Sequence, residues 1–446
     1  MNFVNVNILK NFKTQISNFT NPSSQTQSRN QTDELNQTRV YRFLFKLPKW
    51  QVDQHSNEMK YFKNTYKDYS PSEDSLLLKL RSLISSLVDE KWKSTVHTFL
   101  NLESDNYSVY TGTSGIALLK LKKLPFERGN LEEVKCLLSL HQLKNHRYTF
   151  LCGDAGPLSI GVIVSHRLGN QAETQILIER LKELGKCVLD MNSDIPDEYL
   201  YGRAGYLYSI LYVNKNVHPQ PFDDNFIRMI IEAILVSGRT TSKALKFKVP
   251  LMYQWHNSYY LGAAHGISGI LYLLLQAKEF LTEKDLNTLI KPTIEYLLDQ
   301  RFASGNFPSS LGRDSDKYVQ WCHGAPGFLY LLTTAYKVFQ DPKYLEVALQ
   351  CGEIVWERGL LRKGYSLCHG VSGNAYCFLE LYQTTKDEKH LYRAIKFTEW
   401  CMDYAREHEE NPPDRPMSLF EGVAGPLYLM LDIQNPMEAK FPGFSL

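Results

Sequence analysis

The residues best equipped for chemistry are two Cys-His dipeptides, Cys322-His323 and Cys368-His369, each followed directly by glycine. Thiolate and imidazole are the borderline-soft donors that zinc prefers. The pairs lie 46 residues apart, so they are no compact zinc-finger string, whose ligand pairs close within a few residues. Only a fold that makes distant segments neighbours can unite them. Consecutive residues of one extended backbone usually diverge, which favours two ligands plus one over two plus two. Three protein ligands leave the open fourth position of a catalytic zinc.

A third histidine, His265, also stands directly before a glycine but has no cysteine beside it. An imidazole facing a metal centre is suited to give or take a proton near neutral pH. Asp154, in "CGDAGP", is the acidic residue inside another glycine turn; it can orient a histidine or cap its helix, and the functional reading is preferred. The chain holds 12 histidines in 446 residues, and three of them share this one register, so the register and not composition carries the signal.

The elements that position these residues come from a repeat. Seven times, two glycines three apart precede an apolar run: "TGTSGIALLKL", "CGDAGPLSIGV", "YGRAGYLYSIL", "HGISGILYLLL", "HGAPGFLYLLT", "HGVSGNAYCFL" and "EGVAGPLYLML". The first glycines, from Gly112 to Gly422, recur with a period near fifty, that of a supersecondary unit. Five copies carry tyrosine three residues after the second glycine, at Tyr208, Tyr272, Tyr330, Tyr376 and Tyr428. Between the turns lie amphipathic stretches such as "AETQILIERLKELGKCVLD", with helical spacing of apolar residues. Each repeat therefore reads as an outer amphipathic helix, a loop, then a glycine turn opening an inner helix apolar all round, which must be buried. Seven such hairpins close into an all-α ring, an α/α toroid of seven inner and seven outer helices, with no end repeat to cap. The glycines are expected to allow positive φ and close backbone approach. The turns would gather at one end and collect the residues before each first glycine: Thr111, Cys152, Tyr201, His265, His323, His369 and Glu421.

Composition narrows the partners. With 50 basic against 48 acidic residues, net +2, no charge excess points to nucleic acid. No apolar run approaches the length of a transmembrane segment. Eight cysteines make no disulfide scaffold, and reduced thiols beside imidazoles point to a reducing, cytoplasmic compartment. Residues 1–50 read as an Asn/Gln/Ser/Thr-rich disordered arm, whose first residues form a weak amphipathic pattern compatible with peripheral membrane contact. Residues 51–446 read as one domain, because no single hairpin can bury its inner helix alone.

The strings "FLCGDAGPL", "YYLGAAHGISGI", "WCHGAPGFLYLL", "KGYSLCHGVSGNAY" and "SLFEGVAG" resemble those of eukaryotic LanC-like proteins, relatives of the bacterial lanthionine synthetase C cyclases. The likeness covers roughly residues 60 to 446 and includes every repeat. It implies the same toroid with one zinc, held by Cys322, Cys368 and His369, and His323 as a neighbour of the metal. In the bacterial cyclases zinc activates a peptide thiol that adds to dehydroalanine or dehydrobutyrine. The eukaryotic relatives are implied to bind glutathione and add it to such residues in proteins, where they arise from phosphoserine or phosphothreonine.

The resemblance further implies glutathione contacts at Lys363 and at Asn411, Pro412, Pro413 and Asp414, with Asn411 standing where the family often carries arginine. His265 is then the acid that protonates the enolate, with Asp154 assisting. Where the bacterial enzymes have tyrosine after the first zinc cysteine and a basic residue four before it, this chain has His323 and Tyr318; Lys317 and Arg313 lie nearby, with loop solvation the preferred reading of both. The alternative function is a glutathione- and zinc-binding adaptor without turnover.

Overall fold

The computed structural model describes residues 60–70, parts of 81–92, 105–144, 147–403 and 415–446. All belong to one compact unit, Leu47–Leu446. The arm read at residues 1–50 lies outside the described residues, as does the segment Asn411–Asp414.

Thirteen helices are labelled in chain order. Seven follow the glycine turns: α1 (Thr113–Lys123), α3 (Ala155–Arg167), α5 (Arg203–Asn216), α7 (Ile267–Gln276), α9 (Ala325–Phe339), α11 (Val371–Thr385) and α13 (Ala424–Gln434). Six alternate with them: α2 (Arg128–Leu137), α4 (Gln171–Leu189), α6 (Asp224–Ala244), α8 (Glu283–Asp285, a π-helical turn Leu286–Ile290, and Lys291–Leu298), α10 (Pro342–Arg358) and α12 (Glu388–Asp403). A seventh outer position is occupied by helical residues between 81 and 92, whose Ile84, Val88 and Trp92 are buried at four-residue spacing. Among the described residues no strand forms, only isolated bridges.

The helices after the turns form the inner layer. In α3 every residue from Ala155 to Ser165 is buried, as is Ile267 to Leu275 in α7, which a helix apolar on all sides requires. Each inner helix touches the next, and α13 touches α1, so the ring closes. Several of the outer helices begin on side-chain caps: Asn170 accepts from the Glu173 N–H, Asp223 from Phe226, and Thr282 forms a capping box with Asp285.

Of the two causes expected for the glycine turns, close backbone approach holds and positive φ holds at one position only. Of the turn glycines, only Gly324 has positive φ, at 97°. Gly112, Gly202, Gly266 and Gly370 are extended, which any residue tolerates. Close approach decides instead: a Cβ on Gly269 would stand 1.9 Å from the Ala263 carbonyl oxygen, so even alanine is excluded.

Four of the five column tyrosines meet residues 441–446. Tyr272 lies 4.5 Å from Phe444 between ring centroids, Tyr330 5.5 Å from it, and Tyr376 5.3 Å from Phe441. The hydroxyls of Tyr208 and Tyr272 reach Ser445, and Tyr199 donates to the Gly443 carbonyl at 2.7 Å. A segment touched from α5, α7, α9 and α11 at once occupies the axis of the ring. Phe441 and Phe444 each lie 5.1 Å from Trp321, the residue before Cys322, and so form a floor beneath the cysteine.

Candidate metal centre

Backbone hydrogen bonds between neighbouring loops set the site. Cys322 N–H donates to Cys368 O at 3.3 Å, Cys368 to Phe420 at 3.1 Å, Phe420 to Tyr110 at 3.0 Å and Tyr110 to Leu151 at 2.8 Å. Residues two before five of the seven first glycines are thus stitched from loop to loop, and this brings two cysteines 46 residues apart side by side. Gln320 and His323 exchange backbone hydrogen bonds of 3.1 and 3.0 Å, a tight turn with Cys322 at its corner.

The donor atoms of Cys322, Cys368 and His369 all lie within 4.8 Å of one another. Ligands about 2.0 to 2.3 Å from a tetrahedral zinc stand roughly 3.5 to 4 Å apart, so two thiols and an imidazole at this separation fit that ion. Both cysteines are buried; they and His369 line a cavity of about 560 Å³, onto which a fourth position would open. The Nδ1 of His323 is buried without a hydrogen-bond partner, and its ring packs 6.0 Å from Tyr260 and 5.9 Å from Tyr318. His323 stands outside the donor cluster because the tight turn sends consecutive side chains apart.

The thiols are electrostatically unequal. Cys322 is held below the ordinary thiol range by the hydrogen bond from Cys368, against the upward push of burial, with the Gln320 amide 3.0 Å away and Lys363 and His265 assisting. The same contact and burial push Cys368 well up, while a hydrogen bond from Tyr110 pulls it down. Burial, with the charge of Lys363, lowers His369 to about 4, so its imidazole is neutral and free to coordinate. Burial lowers His323 to about 4 as well, with His265 next.

His265 lines the same cavity, its Nδ1 2.9 Å from the Glu198 carboxylate. Glu198 is 2% exposed and also accepts the N–H groups of Leu200 at 2.8 Å and Tyr201 at 2.5 Å. The ring of Tyr201 stacks on His265 with centroids 6.0 Å apart. Lys363 lines the cavity too, as do Lys317 and Arg313, which the sequence read as solvated loop cations. Asp154 is buried at the start of α3 and does not line this cavity; its charge acts on Tyr107.

Sequence reasoning missed Glu198, Gln320 and Tyr110. Tyr110 was visible in the column two before the glycines, whereas Glu198 sits in a loop with no periodicity to mark it.

Residues 103–446 match the family model described as lanthionine synthetase C-like protein. Glutathione S-transferase LANCL1 of Danio rerio is 42% identical over 407 residues, spanning 87% of this chain and 100% of that one. LanC-like protein GCL1 of Arabidopsis thaliana is 33% identical over 397 residues, 84% of this chain and 89% of its own. Among solved structures, nisin cyclase shares the fold at TM-score 0.59 and 15% identity, covering 82% of this chain and 95% of that one. The glycine-turn ring, its stitched loops and these likenesses agree: the chain belongs to the lanthionine synthetase C-like family, whose α/α toroid it adopts.

Proposed function

We propose that this protein is a zinc-dependent glutathione transferase that adds the glutathione thiol to dehydroalanine or dehydrobutyrine residues of proteins or peptides. The observation that carries the reading is one cavity lined by the Cys322–Cys368–His369 donor set and by His265, whose Nδ1 is held from behind by Glu198. The relative named as a glutathione S-transferase supports the choice of thiol.

Zinc, when bound, favours the thiolate form of a coordinated thiol near neutral pH and so supplies the nucleophile. Cys322, Cys368 and His369 would hold it, with Gln320 and Tyr110 hydrogen-bonded to the two sulfurs. Lys363, Lys317 and Arg313 face the cavity with cationic groups suited to the two carboxylates of glutathione. In the addition, sulfur bonds to the β-carbon, the double-bond pair moves toward the carbonyl, and the α-carbon takes a proton. His265 would take the glutathione thiol proton on Nε2, its Nδ1–H donating to Glu198, and deliver that proton to the α-carbon. Asp154 would assist only indirectly, since it does not line the cavity. The segment Asn411–Asp414 is proposed as a further glutathione contact on the family resemblance alone. All eight cysteines are free thiols, which supports a cytoplasmic location. No helix among the described residues is long and apolar enough to cross a membrane.

The test is a dehydroalanine peptide incubated with glutathione and zinc-loaded protein. A mass gain of one glutathione, faster than the spontaneous reaction, is expected. Binding of glutathione and zinc with no gain over the spontaneous rate would make the protein an adaptor and defeat the enzyme reading.

A further inference from the structure

The transfer reaction needs two substrates to meet at His265, and a cavity of about 560 Å³ takes a tripeptide and one reacting residue, not a polypeptide. The residues flanking the acceptor must lie outside it. Next to it is a second, open cleft of about 720 Å³, lined by Arg147, Tyr148, Cys187, Tyr201, Trp255 and His256 among others.

Two contacts join the cleft to the cavity. The Tyr201 ring, on the cleft side, lies nearly parallel to the His265 ring on the cavity side, 12° between their planes. The turn Trp255–Ser258, closed by two backbone hydrogen bonds of 2.9 Å, places Trp255 and His256 in the cleft and Ser258 in the cavity. A chain leaving His265 across Tyr201 therefore enters this cleft. Trp255 packs 6.1 Å from Tyr201, and Tyr201 is 37% exposed, so a partly open aromatic platform waits there. The Arg147 guanidinium lies over the Tyr201 ring at 5.7 Å and makes no ion pair with a described residue. Asp190 and Asp194 line the same cleft beyond ion-pair reach, and the Asp190 carboxylate accepts the Asn192 N–H at 2.9 Å.

We propose that this cleft is the acceptor subsite: it holds the polypeptide residues flanking the dehydroamino acid, with Tyr201 and Trp255 packing on an apolar side chain and Arg147 pairing with an acidic one. This rests on the transferase reading. The catalytic cavity and the cleft then divide the substrates, glutathione on the side of Lys363 and the acceptor on the side of Tyr201, with His265 between.

Three acceptors test it: N-acetyldehydroalanine methyl ester, which has no flanking residues, and two dehydroalanine heptapeptides flanked by glutamate or by lysine. Trp255→Ala and Arg147→Ala are expected to lower kcat/KM for the glutamate heptapeptide roughly tenfold, about 1.4 kcal/mol. The rate with the ester and the KM for glutathione should stay within about twofold, because neither reaches the cleft. Arg147→Glu should make the lysine heptapeptide the better acceptor. Equal losses with the ester, or heptapeptide kinetics indifferent to all three substitutions, would overturn the assignment. If the wild-type protein transfers glutathione to none of the three, it is the transferase reading that fails. Titration calorimetry with the inert alanine heptapeptides then decides the cleft alone: binding of the glutamate peptide that Trp255→Ala abolishes supports it, and no binding overturns it.

Discussion

Glu198 and His265, 67 residues apart in sequence, are joined by a 2.9 Å contact between Oε2 and Nδ1. Two backbone N–H groups hold the same carboxylate, so it has little freedom to turn away. The carboxylate therefore holds the imidazole in orientation and favours the tautomer with the proton on Nδ1, which leaves Nε2 open to take the thiol proton and pass it on.

Glu198→Gln keeps the shape but offers an amide that can donate to Nδ1 and select the other tautomer. Turnover on a dehydroalanine peptide is expected to fall roughly tenfold or more, and His265→Ala about a hundredfold, the usual scale for losing a general acid. Zinc content, measured by elemental analysis of the same samples, should be unchanged in both. Zinc lost with His265→Ala would place the imidazole in the ligand set instead.

Cys368→Ala removes one of three donors and should reduce bound zinc from one per chain to near zero, whereas His323→Ala should retain it. The contrast follows from the Gln320–His323 turn, which separates the side chains of Cys322 and His323. Full zinc retention in Cys368→Ala would contradict the donor set.

Phe444 is fully buried against Trp321, Tyr199, Tyr272 and Tyr330. Phe444→Ala should cost about 3 to 5 kcal/mol by the scale of large-to-small core changes, read as a lower denaturant midpoint. Because Trp321 precedes Cys322, zinc affinity should weaken as well. A midpoint within error of the wild type would mean that the axis tolerates an empty space.

Asp316 anchors the loop that carries Lys317 and Tyr318 into the cavity. Burial pushes its carboxyl up, but hydrogen bonds from Arg358, Ser304 and Asn306 outweigh it and hold the group below the usual carboxylate value of 3.8. A group lowered in the folded state stabilises above its unfolded value and loses that contribution as pH falls through the folded one. Asp316→Asn should therefore be less stable than wild type at neutral pH, and the difference should shrink as pH drops below about 4. A gap independent of pH in denaturation curves between pH 7 and 3 would refute the electrostatic origin.

The ring was legible because the glycine pairs and the all-apolar runs after them are local patterns: a helix with no polar face must be buried, and seven of them can bury one another. The donor residues were legible for a related reason, since each stands at a fixed offset from a repeated turn. The cause of the glycines was legible only in part. Sequence shows that they recur, but whether φ or a neighbouring carbonyl excludes a Cβ depends on the loop that folds back over the turn, as at Ala263 over Gly269.

The sequence by itself thus determined the architecture and the short column from which the site residues come. Tertiary structure alone decided how that column is used. Choosing between Cys322 and His323 depends on the direction of side chains at a two-residue turn. Glu198 meets His265 between neighbouring repeats, and four of the column tyrosines meet residues 441–446 from four successive inner helices. Those are contacts between segments distant in the chain, and no periodicity records them, because each is fixed by where the closed ring places its loops and its axis.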